Sequence, residues 1–292
     1  MALLIRNGTL MTMTEQGNFC GDLLISGGRI IRMAGQIADA DGFGIDELDA
    51  NGMTIMPGLV DIYVRDGGAE PAYVMELARN AGVSTAVLLP EIGQICEFLS
   101  SGEVHVQVCH IRPDEMTDSQ LEHALHDRRD VSGVKCLVSI RDERQLRRVT
   151  EAAAGSEDVI LSELRGCEKC CGMIERSGLS VVIGPQRTGI PWQMAMQLCE
   201  KGVPVAISSM YPAAQMKLLP VCAGLCVREG MPPETALRCV TRTPAALIGL
   251  EDRGRIAVGC RADLAIYDGD PLMLATSLVA LISDGRIHHR TV

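Results

Sequence analysis

The sequence of 292 residues contains few aromatic side chains and no long apolar run. Phe, Trp and Tyr together make up 3% of the chain, although 47% of its residues are hydrophobic. The core must therefore be built mainly from aliphatic side chains and from the 15 methionines, which fill irregular gaps well. No apolar run approaches the roughly 20 residues that a membrane-spanning helix needs, so we expect no membrane partner.

Basic residues are also scarce. The formal net charge is −10 and the isoelectric point is near 5.1, and no cluster of Lys and Arg lies on one predicted element. This charge argues against a nucleic-acid partner. The 12 cysteines are scattered through predicted strands and helices, and the chain opens without an apolar signal segment. We expect reduced thiols and a cytoplasmic location.

Histidine is nearly absent from the part of the chain where a metal site could form. Only six histidines occur, and none lies between Asp127 and Arg286. His123 and His126 are three residues apart and share a face of a predicted helix, whereas His105 and His110 are five apart and point to opposite sides of a predicted strand. Both arrangements favour surface or core positions over a metal site. The six are His105, His110, His123, His126, His288 and His289.

A cluster of cysteines, Cys167, Cys170 and Cys171, falls on a predicted helix over residues 167–176. Residues three and four apart share a helix face, so the cluster can be apolar packing, a zinc site or a redox thiol. No second Cys pair or His pair follows at zinc-finger spacing, which favours packing.

The two ends of the chain differ in pattern from its middle. Residues 2–55 and residues 254–290 show short β-strands separated by turn dipeptides such as Asn-Gly and Asp-Gly. We predict one small β-sandwich-like domain built from both ends, comprising residues 1–56 and 248–292. Residues 57–247 form a separate α/β domain in this interpretation.

Short apolar runs alternate with helical patterns in this middle region, which indicates βα units around a parallel sheet. Seven runs are visible, whereas a complete TIM-type (β/α) barrel has eight strands and about 250 residues. We therefore predict a trimmed or incomplete barrel. The runs are residues 58–64, 85–89, 104–111, 134–138, 159–161, 179–183 and 203–207.

Three segments carry a resemblance to a known family. They are residues 56–61, which contain PGLVD, residues 230–249 with TPAALIGL at 243–250, and residues 254–272 with RADL at 261–264 and DGDPL at 268–272. The chain resembles the amidohydrolase superfamily, in the group near the dihydroorotases and imidazolonepropionases. The resemblance covers nearly the whole chain and implies the barrel fold.

The resemblance also implies where a metal site belongs. Tyr63 and Arg65 stand in place of the two first-strand histidines, Glu163 in place of the sixth-strand histidine, and Met210 in place of the aspartate after the last strand. A guanidinium is a permanent cation with donors only, and a phenol is a poor ligand at neutral pH. We therefore predict no metal and no other cofactor.

Three further side chains, Asp66, Glu91 and Tyr211, are expected to line the pocket at these degenerate positions. A cavity shaped for a cation would leave its carboxylates repelling one another. We predict that Arg65 pairs with Glu163, Asp66 or Glu91, so that protein charge replaces metal charge.

The leading hypothesis is an amidohydrolase-fold protein that has lost its metal site, acting as a pseudoenzyme or a small-molecule-binding protein. An active hydrolase on non-peptide carbon–nitrogen bonds, with a metal-free or unusual site, stays open, and so does an interaction protein with a filled cavity. Whether the chain is an enzyme is therefore undecided at this point. The resemblance also implies a homo-oligomer, because relatives commonly form dimers or larger assemblies.

Overall fold

The computed structural model describes residues 2–38, 44–66, 68–89, 95–99, 105–126, 134–186 and 191–290. The chain has a mixed α/β fold that contains one mixed sheet and two parallel-rich sheets. None of the helices in these ranges is long and apolar enough to cross a membrane.

Strands from both ends of the chain share one eight-stranded sheet. Its order is β16-β15-β14-β5-β1-β2-β3, with β4 pairing parallel to β1. Strands from the two ends pair directly where β5 runs antiparallel to β14. The strands are β1 (Ala2–Leu10), β2 (Phe19–Ser26), β3 (Arg29–Ala34), β4 (Ile45–Asp49), β5 (Thr54–Pro57), β14 (Leu264–Tyr267), β15 (Leu278–Ser283) and β16 (Arg286–Arg290).

All seven runs predicted in the middle of the chain are strands with parallel neighbours. Two of them, β6 and β7, form a parallel pair, and five, β9 to β13, form a parallel sheet. The strands are β6 (Leu59–Val64), β7 (Val83–Leu88), β9 (His105–Ile111), β10 (Val134–Ser139), β11 (Val159–Ser162), β12 (Ser180–Ile183) and β13 (Val205–Ile207). Sequence patterning missed β8 (Ile95–Leu99), which pairs antiparallel to β9.

Helices connect these strands or follow the last of them. Local sequence explains several ends: Pro71 opens α1, the Asp142 carboxylate accepts from Gln145 N at 2.8 Å and caps α3, and Gly178 ends α4 with φ of 69°. The helices are α1 (Pro71–Asn80), α2 (Asp118–His126), α3 (Glu143–Ala153), α4 (Cys171–Ser177), α5 (Pro191–Glu200), α6 (Leu219–Arg228), α7 (Pro233–Arg238) and α8 (Arg242–Leu247).

Two stretches differ from their predicted secondary structure. The helix expected over residues 167–176 begins only at Cys171, because the chain turns at Gly166 with φ of 65°. Cys167 and Cys170 therefore precede the helix, although both are buried, as packing requires. Residues 254–256 are not a strand, since Gly254 lies against the backbone of Thr241, where a Cβ would meet the Thr241 carbonyl oxygen at 2.6 Å.

The two faces of the parallel strands pack into different apolar clusters. Alternate residues such as Cys136 and Val138 pack outward against the helices, while Leu137 packs inward. The inward cluster joins both parallel sheets, and α8 covers it through Ala245 and Ile248. Its other strand members include Val60, Val87, Val108, Ile160, Val182 and Ala206.

A buried ion pair joins the mixed sheet to the first parallel strand. Arg253 Nη1 lies 3.2 Å from Asp263 Oδ2, and both side chains are at most 2% exposed. Asp263 Oδ1 accepts from Ser283 Oγ at 3.2 Å, and its backbone oxygen accepts from Gly58 N at 2.8 Å. Gly58 is required here, because a Cβ would lie 2.5 Å from Ser84 Oγ.

Candidate functional site

A layer of polar side chains lies above the inward apolar cluster, at the C-terminal ends of the parallel strands. Ser139 and Ser162 are register partners on β10 and β11, and their hydroxyl oxygens are 3.4 Å apart. His110, two residues beyond Val108 on β9, places Nε2 at 2.8 Å from Ser139 Oγ. All three are at most 2% exposed, so this layer is a closed floor.

Tyr63 connects this floor to the open end of the site, which we call the mouth and which includes Tyr63, Arg65, Glu163 and Arg165. Its hydroxyl lies 3.3 Å from Ser139 Oγ and donates to Glu163 Oε1 at 2.7 Å. Its ring meets the His110 ring edge-on, with the centroids 5.9 Å apart. Tyr63 is 2% exposed, so its ring is itself buried beside the Ser139–His110 pair.

Two arginines converge on Glu163 from the mouth. Arg65 Nη2 lies 3.0 Å from Glu163 Oε1, and Arg165 Nη2 lies 3.2 Å from Oε2. Arg65 also donates to the Tyr63 hydroxyl at 2.6 Å. The side chain of Glu163 is 7% exposed, whereas those of Arg65 and Arg165 are 36% and 55% exposed. The ion pair between Arg65 and Glu163 confirms the charge pairing expected from the sequence.

The mouth opens into a cavity of about 630 Å³. The Gln186 side chain donates to the Glu163 backbone oxygen and so fixes one wall. Met210 covers Gly184, where a Cβ would lie 2.6 Å from Met210 Cγ. The lining residues are Tyr63, Arg65, Glu163, Arg165, Pro185, Gln186, Met210, Pro212 and Ala213.

The backbone at the mouth is strained. Of six non-glycine residues with positive φ in the described chain, three lie here: Glu163 at 62°, Leu164 at 44° and Met210 at 50°. Such conformations cost on the order of 1–3 kcal/mol each and persist where the surroundings impose them, commonly at binding sites. Hydrogen bonds and ion pairs on Glu163 supply that constraint.

A buried carboxylate fastens the first and last parallel strands beside this mouth. Asp61 accepts from both hydroxyls of Ser208 and Ser209, the latter at 2.5 Å, and from the backbone N–H of Ser209 at 3.3 Å. Nearby, Arg65 N donates to the Tyr211 backbone oxygen at 2.9 Å. The ends of β6 and β13 are thus joined through side chains and loop backbone.

Local electrostatics shift the ionisable groups of the site in different directions. Burial alone would raise the pKa of Glu163, but the Tyr63 hydrogen bond and the charges of Arg165 and Arg65 hold that pKa below its ordinary value. Burial, reinforced by the Glu163 charge, raises the pKa of Tyr63. Burial and the nearby Arg65 lower the pKa of His110 to about 4, so this imidazole is neutral at pH 7.

These residues do not fit the metal centre that the resemblance implies. Glu163 is the one carboxylate among the described residues that line the mouth, and both of its oxygens already face guanidinium groups, which repel a cation. In the part of the chain that the structure describes, no three His, Cys, Asp or Glu side chains are grouped to hold a metal ion. No step of the chemistry is therefore assigned to a metal.

The structure places the seven predicted site residues unevenly. Tyr63, Arg65, Glu163 and Met210 come together around one cavity. Asp66 is exposed and closes a turn by accepting from Gly68 N at 3.1 Å. Tyr211 packs against the outer apolar cluster instead of lining the cavity. Glu91 lies outside the described residues.

Sequence reasoning missed three contributors to the site. Arg165 and Gln186 lie in the loops that follow β11 and β12, a position from which side chains of parallel strands reach a shared edge, so their placement was a usable signal. His110 was interpreted only as one of two strand histidines. Its contact with Ser139 depends on the register between β9 and β10, which cannot be read from the sequence.

Comparisons with known proteins agree with this geometry. A model of the amidohydrolase family matches residues 210–289. An imidazolonepropionase from Ruegeria sp. (strain TM1040) is 37% identical over 99 residues, covering 31% of this chain and 24% of that protein. A dihydroorotase from Streptococcus pneumoniae serotype 4 is 36% identical over 92 residues, covering 30% and 21%. The chain thus covers less than a quarter of the length of either relative.

Solved structures match over a much larger share of the chain. An amidohydrolase from Thermotoga maritima MSB8 superposes with a TM-score of 0.78 at 17% identity, covering 99% of this chain and 100% of that one. A β-aspartyl dipeptidase from Fervidobacterium islandicum AW-1 gives 0.79 at 17% identity, covering 99% and 97%. These similarities show a shared fold.

Proposed function

Because the chain belongs to the amidohydrolase superfamily, we propose that it is a member that has lost the catalytic metal site and binds a small anionic molecule in its mouth. One observation carries this proposal: Glu163 is held by Arg65 and Arg165 at the place where the resemblance puts a metal ligand. We further propose that the two parallel sheets form a trimmed TIM-type barrel and that the mixed sheet forms a β-sandwich-like domain beside it.

The charge balance favours an anion over a neutral ligand. Two guanidinium groups face one carboxylate, which leaves an excess of positive charge beside the cavity. Arg165 is the more exposed of the two and keeps donors free for a ligand. Carboxylate and phosphate groups match the planar fork of a guanidinium, and a cavity of about 630 Å³ suits a small molecule.

Loss of hydrolysis follows from the chemistry of water. A bound metal lowers the pKa of its water from 15.7 to about 7, and no group lining this mouth supplies an equivalent Lewis acid. The buried imidazole of His110 is in contact with Ser139, but neither of these two residues is among those that line the cavity.

Titration calorimetry with acetate, succinate, N-acetylglycine and inorganic phosphate tests binding, with the neutral amides of the three carboxylates as matched controls. We expect at least one anion to bind while its amide does not. Arg165→Gln should weaken that binding about tenfold, since charge-assisted hydrogen bonds contribute more than neutral ones. Arg147→Gln is the control, because Arg147 is similarly exposed at 58% and lies on α3. Equal binding of acids and amides, or no binding of any probe, would overturn the proposal.

The second candidate, an active hydrolase on carbon–nitrogen bonds, is favoured by superfamily membership and by the contact between Ser139 and His110. Incubation with acyl amino acids and cyclic amides, followed by proton NMR, would reveal hydrolysis. The protein should be assayed after chelation and again after adding Zn²⁺ or Mn²⁺. Turnover that appears with added metal would replace the proposed function with this candidate.

A further inference from the structure

A pair of cysteines lies outside the mouth, at the boundary between helix α5 and the segment that follows α7. Cys199 is in the last turn of α5 and Cys239 directly follows α7, and their sulfur atoms are 3.8 Å apart. Both are free thiols. Cys239 is 1% exposed, whereas Cys199 is partly exposed, so a small reagent can reach the pair only through Cys199.

The surroundings make the two thiols unequal. The contact with Cys239 lowers the pKa of Cys199, although burial opposes this. The same contact, together with burial, raises the pKa of Cys239. Cys199 has the lower pKa and is the partly exposed member of the pair, so an oxidant reaches it first, and Cys239 lies within reach to resolve it. By contrast, burial raises the pKa values of Cys167, to about 12, and of Cys170.

The Cys239 segment also fills the gap between the first and last parallel strands. The Cys239 backbone oxygen accepts from Ile207 N at 2.7 Å, and that of Val240 accepts from Val60 N at 2.9 Å. These bonds connect β13 and β6, the strands whose ends carry Asp61 and its serine partners. A covalent tie at Cys239 would therefore fasten this boundary to α5.

We propose that Cys199 and Cys239 are a thiol-oxidation site that forms a reversible disulfide and stiffens the boundary between β6 and β13. With hydrogen peroxide as oxidant, the Cys199 thiolate attacks one peroxide oxygen, which yields a sulfenic acid and releases hydroxide. Cys239 sulfur then attacks the Cys199 sulfur, so that the S–S bond forms and the sulfenic oxygen leaves as water. In total, two thiols lose two electrons and two protons, and one peroxide becomes two waters.

Peptide mapping tests the bond directly. Trypsin releases Cys199 within residues 188–201 and Cys239 within residues 239–242, and neither peptide contains another cysteine. After limited peroxide, non-reducing mass spectrometry should find these two peptides joined, and dithiothreitol should separate them. The same digest carries its own control, because residues 166–169 hold Cys167 and residues 170–176 hold Cys170 and Cys171. Cross-linking of these two control peptides first, or no cross-linking at all, would overturn the proposal.

Hydrogen–deuterium exchange tests the stiffening. Oxidation should slow exchange of the Val60 and Ile207 amides by about tenfold, because local opening then requires more of the fold to separate. The Cys199→Ser variant should show no change on peroxide treatment, while Cys20→Ser, which removes an exposed cysteine on β2, should respond like the parent. A disulfide that leaves both amides unchanged would disprove the mechanical link to the strands.

Discussion

Two groups of ion-paired side chains lie on segments that the amidohydrolase resemblance covers. They differ in how far their charged side chains are shielded from solvent. At the sheet junction, Arg253 and Asp263 form an ion pair with side chains 1% and 2% exposed. At the mouth, Glu163 is buried, but both of its arginine partners reach solvent. The junction pair is closed inside the fold, with Asp252 as a second, more exposed acid 3.7 Å from Arg253, whereas the guanidinium groups of the mouth face a cavity.

This difference separates architecture from ligand recognition. The Asp263 backbone also accepts from Gly58 N, so two motifs of the resemblance meet at the junction and position β6 on the mixed sheet. The resemblance implies that Tyr63 and Arg65, at the end of β6, stand where the family has histidines. The contacts at the junction therefore belong to the architecture, whereas the charges at the mouth face a cavity.

The largest expected effect is at the junction. Asp263→Ala leaves the Arg253 guanidinium buried without its carboxylate, and breaking a buried pair costs about 3–5 kcal/mol. Urea unfolding should show this loss of free energy. Asp252→Ala is the matched control: Asp252 lies 3.7 Å from Arg253 but is 34% exposed, and a loss under about 1 kcal/mol is expected. Equal losses would remove the contrast between closed and open pairs.

The next effect concerns Asp61, whose pKa burial raises above the ordinary 3.8 despite hydrogen bonds from Ser208 and Ser209. In the pH range between the unfolded and folded pKa values, the folded state holds a proton that the unfolded state releases. Stability therefore falls as pH rises from 3.8. The stability of the parent relative to Asp61→Asn should decrease as the pH rises above 3.8 and should become constant above the folded pKa. If the stabilities of the parent and the variant instead change in parallel with pH, Asp61 ionises in the folded state without destabilising it.

At the mouth, Arg65→Met should lower the free energy of unfolding by about 1–2 kcal/mol, since the pair is half-open and Arg165 still faces Glu163. Glu163→Gln should cost less in the Arg65→Met background than alone, with a coupling of about 1 kcal/mol. Arg147→Met, which breaks a surface pair with Glu143, should cost under about 0.5 kcal/mol. Strict additivity at the mouth would exclude protein charge replacing metal charge.

The smallest effect is the acid titration of Glu163, and its sign is opposite to that of Asp61. The folded pKa lies below 4.5, so its contribution is present above 4.5 and disappears as pH falls through the folded value. The stability of the parent relative to Glu163→Gln should therefore shrink on acidification and stay constant at higher pH. A difference that instead grows in acid would place the folded pKa above its ordinary value.

The sequence by itself determined the seven parallel strands and the family resemblance, because the alternation of apolar runs and the turn motifs are local properties. The resemblance implies that Tyr63 and Arg65 stand where the family has histidines, and a phenol is a poor metal ligand and a guanidinium none, whatever the fold. Sequence patterning did not find β8, whose pairing with β9 is antiparallel within a region of parallel signals.

Only the tertiary structure decided which side chains meet. Tyr63 and Glu163 are 100 residues apart, and Cys199 and Cys239 are 40 apart, so strand register and helix packing alone bring each pair within reach. Exposure is also decided by the tertiary structure, because the formal charge of a side chain does not depend on its place in the sequence and does not reveal whether it is buried. Burial on all sides makes Arg253 and Asp263 part of the architecture, whereas an open side leaves Arg65 and Arg165 able to meet a ligand.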